Sequence, residues 1–168
     1  MALVLDNTVS GTASNSYCSR ASALVYLAED IHIYSTFASL STSDAEACLI
    51  FATSLLDSEI DWMGLKASST QKLRWPRTDV YDPDEYAVDS TIHPDFLQKA
   101  TSFYAYYLSQ EDRLAESDTY GFKELDAGSL KMVIDKYDRK ITMPNPIWNM
   151  LKWYGNRLSG RTRVLVRR

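Results

Sequence analysis

The chain has 168 residues, 45% of them apolar, and a formal net charge of −4. That length can bury one good core but is short for two, so a single domain with appendages is expected. The longest unbroken apolar runs, such as Ala47 to Ala52 and Phe103 to Leu108, are six residues each, against the roughly 20 that cross a bilayer, which excludes a membrane-spanning helix.

Residues Met1 to Asp6 lack the basic start, long apolar stretch and small-residue cleavage site of a secretory signal, so the chain is expected to stay in the cytoplasm where it is made. Leu3 to Leu5, closed by the turn signal Ser10-Gly11, read as a small strand or an arm. Ala21, Leu24, Val25 and Ala28 then fall at helical spacing, which predicts a first core helix from about Ser19 to Asp30 with that stripe inward. A Ser/Thr-rich linker follows. Ser43 and Glu46 form a capping box, so the next helix is expected to start at Asp44. Its face of Cys48, Phe51, Ala52 and Leu55, widened by Ala45, Leu49 and Leu56, predicts the central helix of the fold.

Between Trp62 and His93 the periodicity breaks down, and Pro76 and Pro83 exclude a long helix. A connection of this length is either functional or pinned, and buried indoles at Trp62 and Trp75 are the expected pins. Pro94 opens the next helix, in which Phe96, Ala100, Phe103 and Tyr107 repeat at helical spacing to about Glu111. Tyr104, Tyr106 and Tyr107 cover more than one face, so either all pack in the core or one reaches a neighbouring subunit. Around Asp126-Ala127-Gly128-Ser129 the period becomes two, which predicts a β-hairpin near 122–135. Asn145 then offers an N-cap and Pro146 the first helical position of a last helix, with Ile147, Met150, Leu151 and Tyr154 as its stripe and Gly155 as its end.

The resulting fold class is mainly α: a small bundle of about four helices with a long structured loop, a β-hairpin and an extended C-terminal arm. The domain is expected over residues 1–156 and the basic arm over 157–168. The segment from Arg157 to Arg168 holds five arginines and no acid; without it, 13 basic residues face 22 acidic ones, a body charge of −9. Such a tail either meets an acidic or strand-pairing partner or is a solvated end, while the body repels nucleic acid. Arg163-Val164-Leu165-Val166-Arg167 is a short β-prone run of the kind that adds a strand to another sheet.

The sequence carries little that suggests catalysis. His32 and His93 stand in no metal or relay spacing, Cys18 and Cys48 read as buried free thiols, and no phosphate-cradling glycine motif occurs. The acidic run Asp79, Asp82, Asp84, Glu85 and Asp89 lacks the glycine and terminal glutamate of a calcium loop and reads as a solvated turn. Asp57 with Asp61, and Glu111 with Asp112, read as surface charge. No cofactor, metal or enzymatic activity is therefore expected. Lys72, Arg74, Trp75 and Arg77 combine cations with an aromatic, the ingredients of a stacking platform for single strands. Because the surrounding loop is acidic, Trp75 is read instead as an anchor of the long loop.

Several segments, in order, resemble one family: Asn15-Ser16-Tyr17; Leu49 to Asp57; Trp62-Met63-Gly64-Leu65-Lys66; Gln71-Lys72-Leu73-Arg74-Trp75-Pro76-Arg77; Tyr81-Asp82-Pro83-Asp84; and Ile92-His93-Pro94 leading to Leu97 and Ala100. Together they are similar to the head-tail connector, or head-completion adaptor, proteins of tailed bacteriophages, a family often labelled DnaT-like single-stranded DNA-binding. Tyr17, Trp62, Gly64, Gln71, Trp75, Pro76 and Arg77 are its motif residues and are read as structural. The resemblance implies a virion protein of the neck, assembled in the host cytoplasm. Such a protein would form a ring of about twelve copies beneath the portal protein. It also implies a distal contact to a stopper or tail-completion protein and a channel that genome DNA crosses without sequence-specific binding. Arg157, Arg161, Arg163, Val164, Leu165, Val166, Arg167 and Arg168 fall where the family places its portal-binding arm. His93 between Ile92 and Pro94, and the polar stretch from Ser109 to Tyr120, depart from the pattern. The label suggests the alternative of a replication or recombination protein that binds single-stranded DNA.

Overall fold

The computed structural model describes residues 4–115, 124–127, 130–133 and 141–158. It is mainly helical, as expected, with five helices and three two-stranded antiparallel pairs among the described residues. No described helix is long and apolar enough to cross a membrane.

Helix α1 (Arg20–Leu27) is capped by Ser19, whose hydroxyl accepts from the Ser22 N–H at 3.1 Å. The face predicted to turn inward does so only at Leu24, which is half-buried against the core. Val25 is 70% exposed, Ala21 and Ala28 are exposed, and the buried residues are Ala23 and Leu27. Apolar residues lie on both sides of this short helix, so spacing alone does not choose between them. Tyr17 and Cys18, buried immediately before the cap, fix the angle at which the chain enters. The segment expected to be a linker contains α2 (Tyr34–Ala38), a single helical turn anchored by the buried Phe37, while His32 is exposed on the turn before it. Arg20 donates to the Ala38 and Leu40 carbonyls and so closes the end of α2 against α1.

Helix α3 (Thr42–Glu59) begins two residues earlier than predicted. Its cap is Ser41, which accepts from the Asp44 N–H at 3.1 Å, rather than Ser43. At 18 residues it is the longest described helix. Its core face is Ala45, Leu49, Ala52, Leu55 and Leu56, leaving Phe51 exposed and Cys48 half-buried. The centre of the fold is α4 (Asp95–Gln110), which packs on α1, α3 and α5 (Asn145–Leu151). Buried Thr101 and Ser102 sit in α4 at little cost, since each hydroxyl donates to the carbonyl four residues back, Leu97 at 2.8 Å and Gln98 at 2.7 Å. Tyr104 is fully buried and Tyr106 and Tyr107 half-buried.

Pro144 is the cap of α5, so Asn145 is already helical. Gly155 does not end that helix, which stops at Leu151. It opens β6 (Gly155–Arg157), antiparallel to β1 (Ile60–Trp62) with Trp62 opposite Gly155. A side chain at 155 would put its Cβ 2.6 Å from Ile60 Cγ2 and 2.9 Å from the Asp61 carbonyl, so only glycine permits the approach. The long loop contains β2 (Leu65–Lys66) paired with β3 (Arg77–Thr78). The predicted hairpin is present as β4 (Glu124–Ala127) and β5 (Leu130–Val133), with Ala127 opposite Leu130. No strand forms from Val4 to Leu5; Asn15 holds that segment by accepting from the Asp6 N–H and donating to the Val4 carbonyl.

Candidate nucleic-acid interface

The segment from Trp62 to Thr78 is shaped by its own motif residues and tied to the body by backbone N–H groups that donate to Tyr154, Gly11 and Asp57. Gly64 turns the chain between β1 and β2 at a φ of +69°, where an added Cβ would lie 2.1 Å from the Thr78 carbonyl oxygen. Gln71 is buried and accepts from the Ser68 N–H at 2.9 Å while its amide donates to the Leu73 and Pro76 carbonyls, both at 3.0 Å. The Trp75-Pro76 peptide is cis. Arg77 folds its guanidinium back over the turn: Nε donates to the Met63 carbonyl, Nη2 to Trp62 and Gly64, and Nη1 to Arg74. A planar fork with donors on three nitrogens can hold four carbonyls in this way.

The tryptophans pin the loop as predicted. Trp75 is 0% exposed and Trp62 5% exposed, packed edge to face at 5.6 Å. Trp75 meets Phe96 of α4 at 5.5 Å, and Phe96 stacks on Tyr154 at 3.6 Å. This series of rings ties β1, the loop, α4 and the turn after α5 into one core, each ring pair adding about 0.5–1.5 kcal/mol beyond burial. An indole so enclosed cannot stack on a base, so Trp75 is an anchor and not a platform.

The cations of the same segment surround an open hollow of about 490 Å³ lined by Ser54, Asp57, Ser58, Lys66, Lys72, Arg74 and Arg77. Lys66 Nζ donates to the Gln71 carbonyl at 3.1 Å, and Arg77 is committed to the turn. Lys72 and Arg74 are exposed, with no side-chain hydrogen bond among the described residues. Four cations thus face one carboxylate. That carboxylate, Asp57, is not the surface charge expected from sequence: it accepts the Tyr17 hydroxyl on Oδ1 and the Arg74 N–H on Oδ2 at 3.1 Å. Burial pushes its carboxyl above the usual range, opposed by these two hydrogen bonds. Burial likewise drives the Tyr17 hydroxyl far up, aided by the Asp57 charge. Sequence reasoning missed Asp57 because its partners lie 40 and 17 residues away in the chain. Lys66 was named only as part of a motif, with no hint that β2 would bring it beside Lys72.

The remaining candidates lie elsewhere. Arg157 is not part of a free arm: it pairs with Ile60 in β6, donates to the Met143 carbonyl at 2.7 Å and stands 5.4 Å from the Trp148 ring centre. The next residue, Leu158, donates its N–H to the Glu59 carbonyl at 2.7 Å. Arg161, Arg163, Val164, Leu165, Val166, Arg167 and Arg168 lie outside the described residues. In the acidic run, Asp82 Oδ1 accepts the Asp84 and Tyr86 N–H groups and Asp89 Oδ1 accepts from Thr91. These carboxylates shape turns, and no cluster able to hold a metal ion occurs among the described residues. His93 is buried edge-on to Tyr17 at 5.3 Å, and burial lowers its imidazole to about 4.

A family model described as "Putative DnaT-like ssDNA binding protein" matches residues 1–157. No curated protein and no solved structure matches the chain.

Proposed function

We propose, for a chain that belongs to the DnaT-like ssDNA-binding family, that it binds single-stranded DNA through the phosphate backbone at the four-cation hollow. The observation that carries this reading is the hollow itself: Lys66, Lys72, Arg74 and Arg77 converge in a body whose charge is otherwise negative. Lys72 and Arg74 are the direct phosphate contacts, since their side chains are exposed. Lys66 and Arg77 supply field while holding the loop in shape. Without exposed indoles in the loop the binding is non-specific and electrostatic, so it depends on salt more than on base identity.

Titration of a labelled oligothymidylate at increasing salt, followed by fluorescence anisotropy, tests the reading. The wild-type chain is expected to weaken linearly on a log-log scale. The slope should fall by roughly 0.7 for each cation removed, so Lys72→Glu with Arg74→Glu loses about 1.4 and most of the affinity. Binding that ignores salt, or a double variant equal to wild type, removes this function.

A second reading is favoured by the inward orientation of the motif aromatics. The residues that carry the phage-adaptor resemblance hold a loop together and leave no base-stacking surface there, as suits a structural virion protein with no enzymatic activity. In that reading the chain forms a ring beneath the portal, in the neck of the virion, with Arg161 and Arg163 to Arg168 reaching the portal and a stopper or tail-completion protein on the distal side. Light scattering with and without the cognate portal separates the two: a defined ring stoichiometry gained on the portal supports the connector, and no association excludes it.

A further inference from the structure

We propose that the hollow takes up a proton at Asp57 when it binds a phosphate group, so that strand binding is coupled to pH. The inference rests on the single-strand reading of the hollow and adds its regulation. Asp57 is the sole carboxylate among the lining residues, which also include Lys66, Lys72, Arg74 and Arg77. Without a bound anion it is the counter-charge within the hollow, while Asp6 acts on Lys72 from outside the lining. A phosphate diester brings a second negative charge into the same space, and two anions within a few ångströms favour protonation of the one able to accept it. The diester does not titrate in this range, so the proton goes to Asp57. Once protonated, the carboxyl offers an O–H donor toward a phosphate oxygen, where the carboxylate offered only repulsion.

The surroundings of Asp57 support this. From the segment before α1, the Tyr17 hydroxyl donates to it; from the loop, the Arg74 N–H donates at 3.1 Å. The charges facing it are Arg74 and Lys72 on the loop, Arg77 on β3 and Lys66 on β2, with Asp61 of β1 acting on the Arg77 side. Burial has already raised the carboxyl, against the two hydrogen bonds and the Arg74 charge. A further anion therefore acts on a group that is already easier to protonate than a solvated aspartate. The sign follows from linkage. Below the unliganded pKa, Asp57 is protonated in both states and affinity is highest. Between the unliganded and liganded values affinity falls by up to about tenfold per pH unit, and above the liganded value it is lower and flat.

The experiment is isothermal titration calorimetry of the full chain with an oligothymidylate lacking terminal phosphates. It is run at fixed salt in buffers of different ionisation enthalpy, from about pH 4.5 to 7.5. Net proton uptake, seen as a buffer-dependent enthalpy together with an affinity that rises toward acid, is expected. Asp57→Asn is expected to abolish both and to bind more tightly at neutral pH. Since that variant can strain the Arg74 N–H contact, Tyr17→Phe is the second probe: it keeps the carboxylate, removes one donor to its charged form and moves the uptake window to higher pH. His93 and His32 remain in both variants, so uptake that persists unchanged in them overturns the assignment to Asp57. Salt-dependent binding with no proton uptake overturns the coupling and leaves the single-strand function standing. Absence of binding at every pH overturns both.

Discussion

Gly64 and Arg77 act together: the glycine makes the turn after β1, and the guanidinium holds its carbonyls. Replacing Gly64 with alanine places a Cβ 2.1 Å from the Thr78 oxygen at a φ of +69°. Left-handed strain alone costs about 1–3 kcal/mol, and relief of the clash must separate β2 from β3. Urea denaturation of Gly64→Ala is expected to show a loss of at least that size, with salt-dependent binding falling in parallel as the hollow loses its wall. Arg77→Lys keeps the charge and removes the fork; a stability close to wild type would show that the four carbonyl contacts matter little. His93 gives a pH prediction with a definite sign. Its folded value, about 4, lies below its ordinary 6.5 because the ring is buried. The neutral form therefore contributes stability that is fully present above pH 6.5 and lost as pH falls toward 4, up to about 3 kcal/mol. A His93→Leu variant should lose less stability than wild type over that interval, read from urea midpoints at several pH values.

Among the elements, α3 shows what sequence pattern resolves and what it leaves open. Existence and period were legible, because apolar residues recur through its whole length. The start was not, because Ser41 and Ser43 each have an acidic residue three positions on, and the cap forms at Ser41. Ser41→Ala is expected to cost about 1 kcal/mol and Ser43→Ala a few tenths, measured by thermal unfolding; equal losses would contradict the cap assignment. The inward face of α1 was ambiguous for a related reason, since Ala21/Val25 and Ala23/Leu27 are equally spaced and tertiary packing decides. The single turn of α2 was missed because five residues are too few to show a period, and only the burial of Phe37 marks it. The anchoring tryptophans were legible from bulk alone. Of their cationic neighbours, Lys72, Arg74 and Arg77 were legible together as the ingredients of a strand-binding patch, but Lys66 was not, because it meets Lys72 only through the pairing of β2 with β3.

At the scale of the whole molecule, charge and chain ending bear on both functional readings. The body carries an excess of acid, yet four of its cations line one hollow, so local field and net charge have opposite signs there. The domain boundary expected between residues 156 and 157 falls inside β6, where Arg157 is paired with Ile60 and Leu158 is bonded to Glu59. Two truncations separate folding from tail function. Ending the chain after Asn156 removes the Met143 and Glu59 contacts and the Trp148 stacking, and should lower stability by several kcal/mol, since a half-buried hydrogen-bonded arginine and a strand end are lost together. Ending it after Leu158 keeps those contacts while removing Arg161, Arg163, Arg167 and Arg168, and should unfold at the wild-type urea midpoint. The same shorter chain then discriminates between partners. If the hollow is the strand site, oligothymidylate binding persists with a slope reduced only by non-specific contacts of the tail. If the tail is the portal contact, portal association is lost while the fold and any strand binding remain. A chain ending at Leu158 that both unfolds normally and still docks to the portal would place the docking surface on the body and leave the basic tail without a part in it.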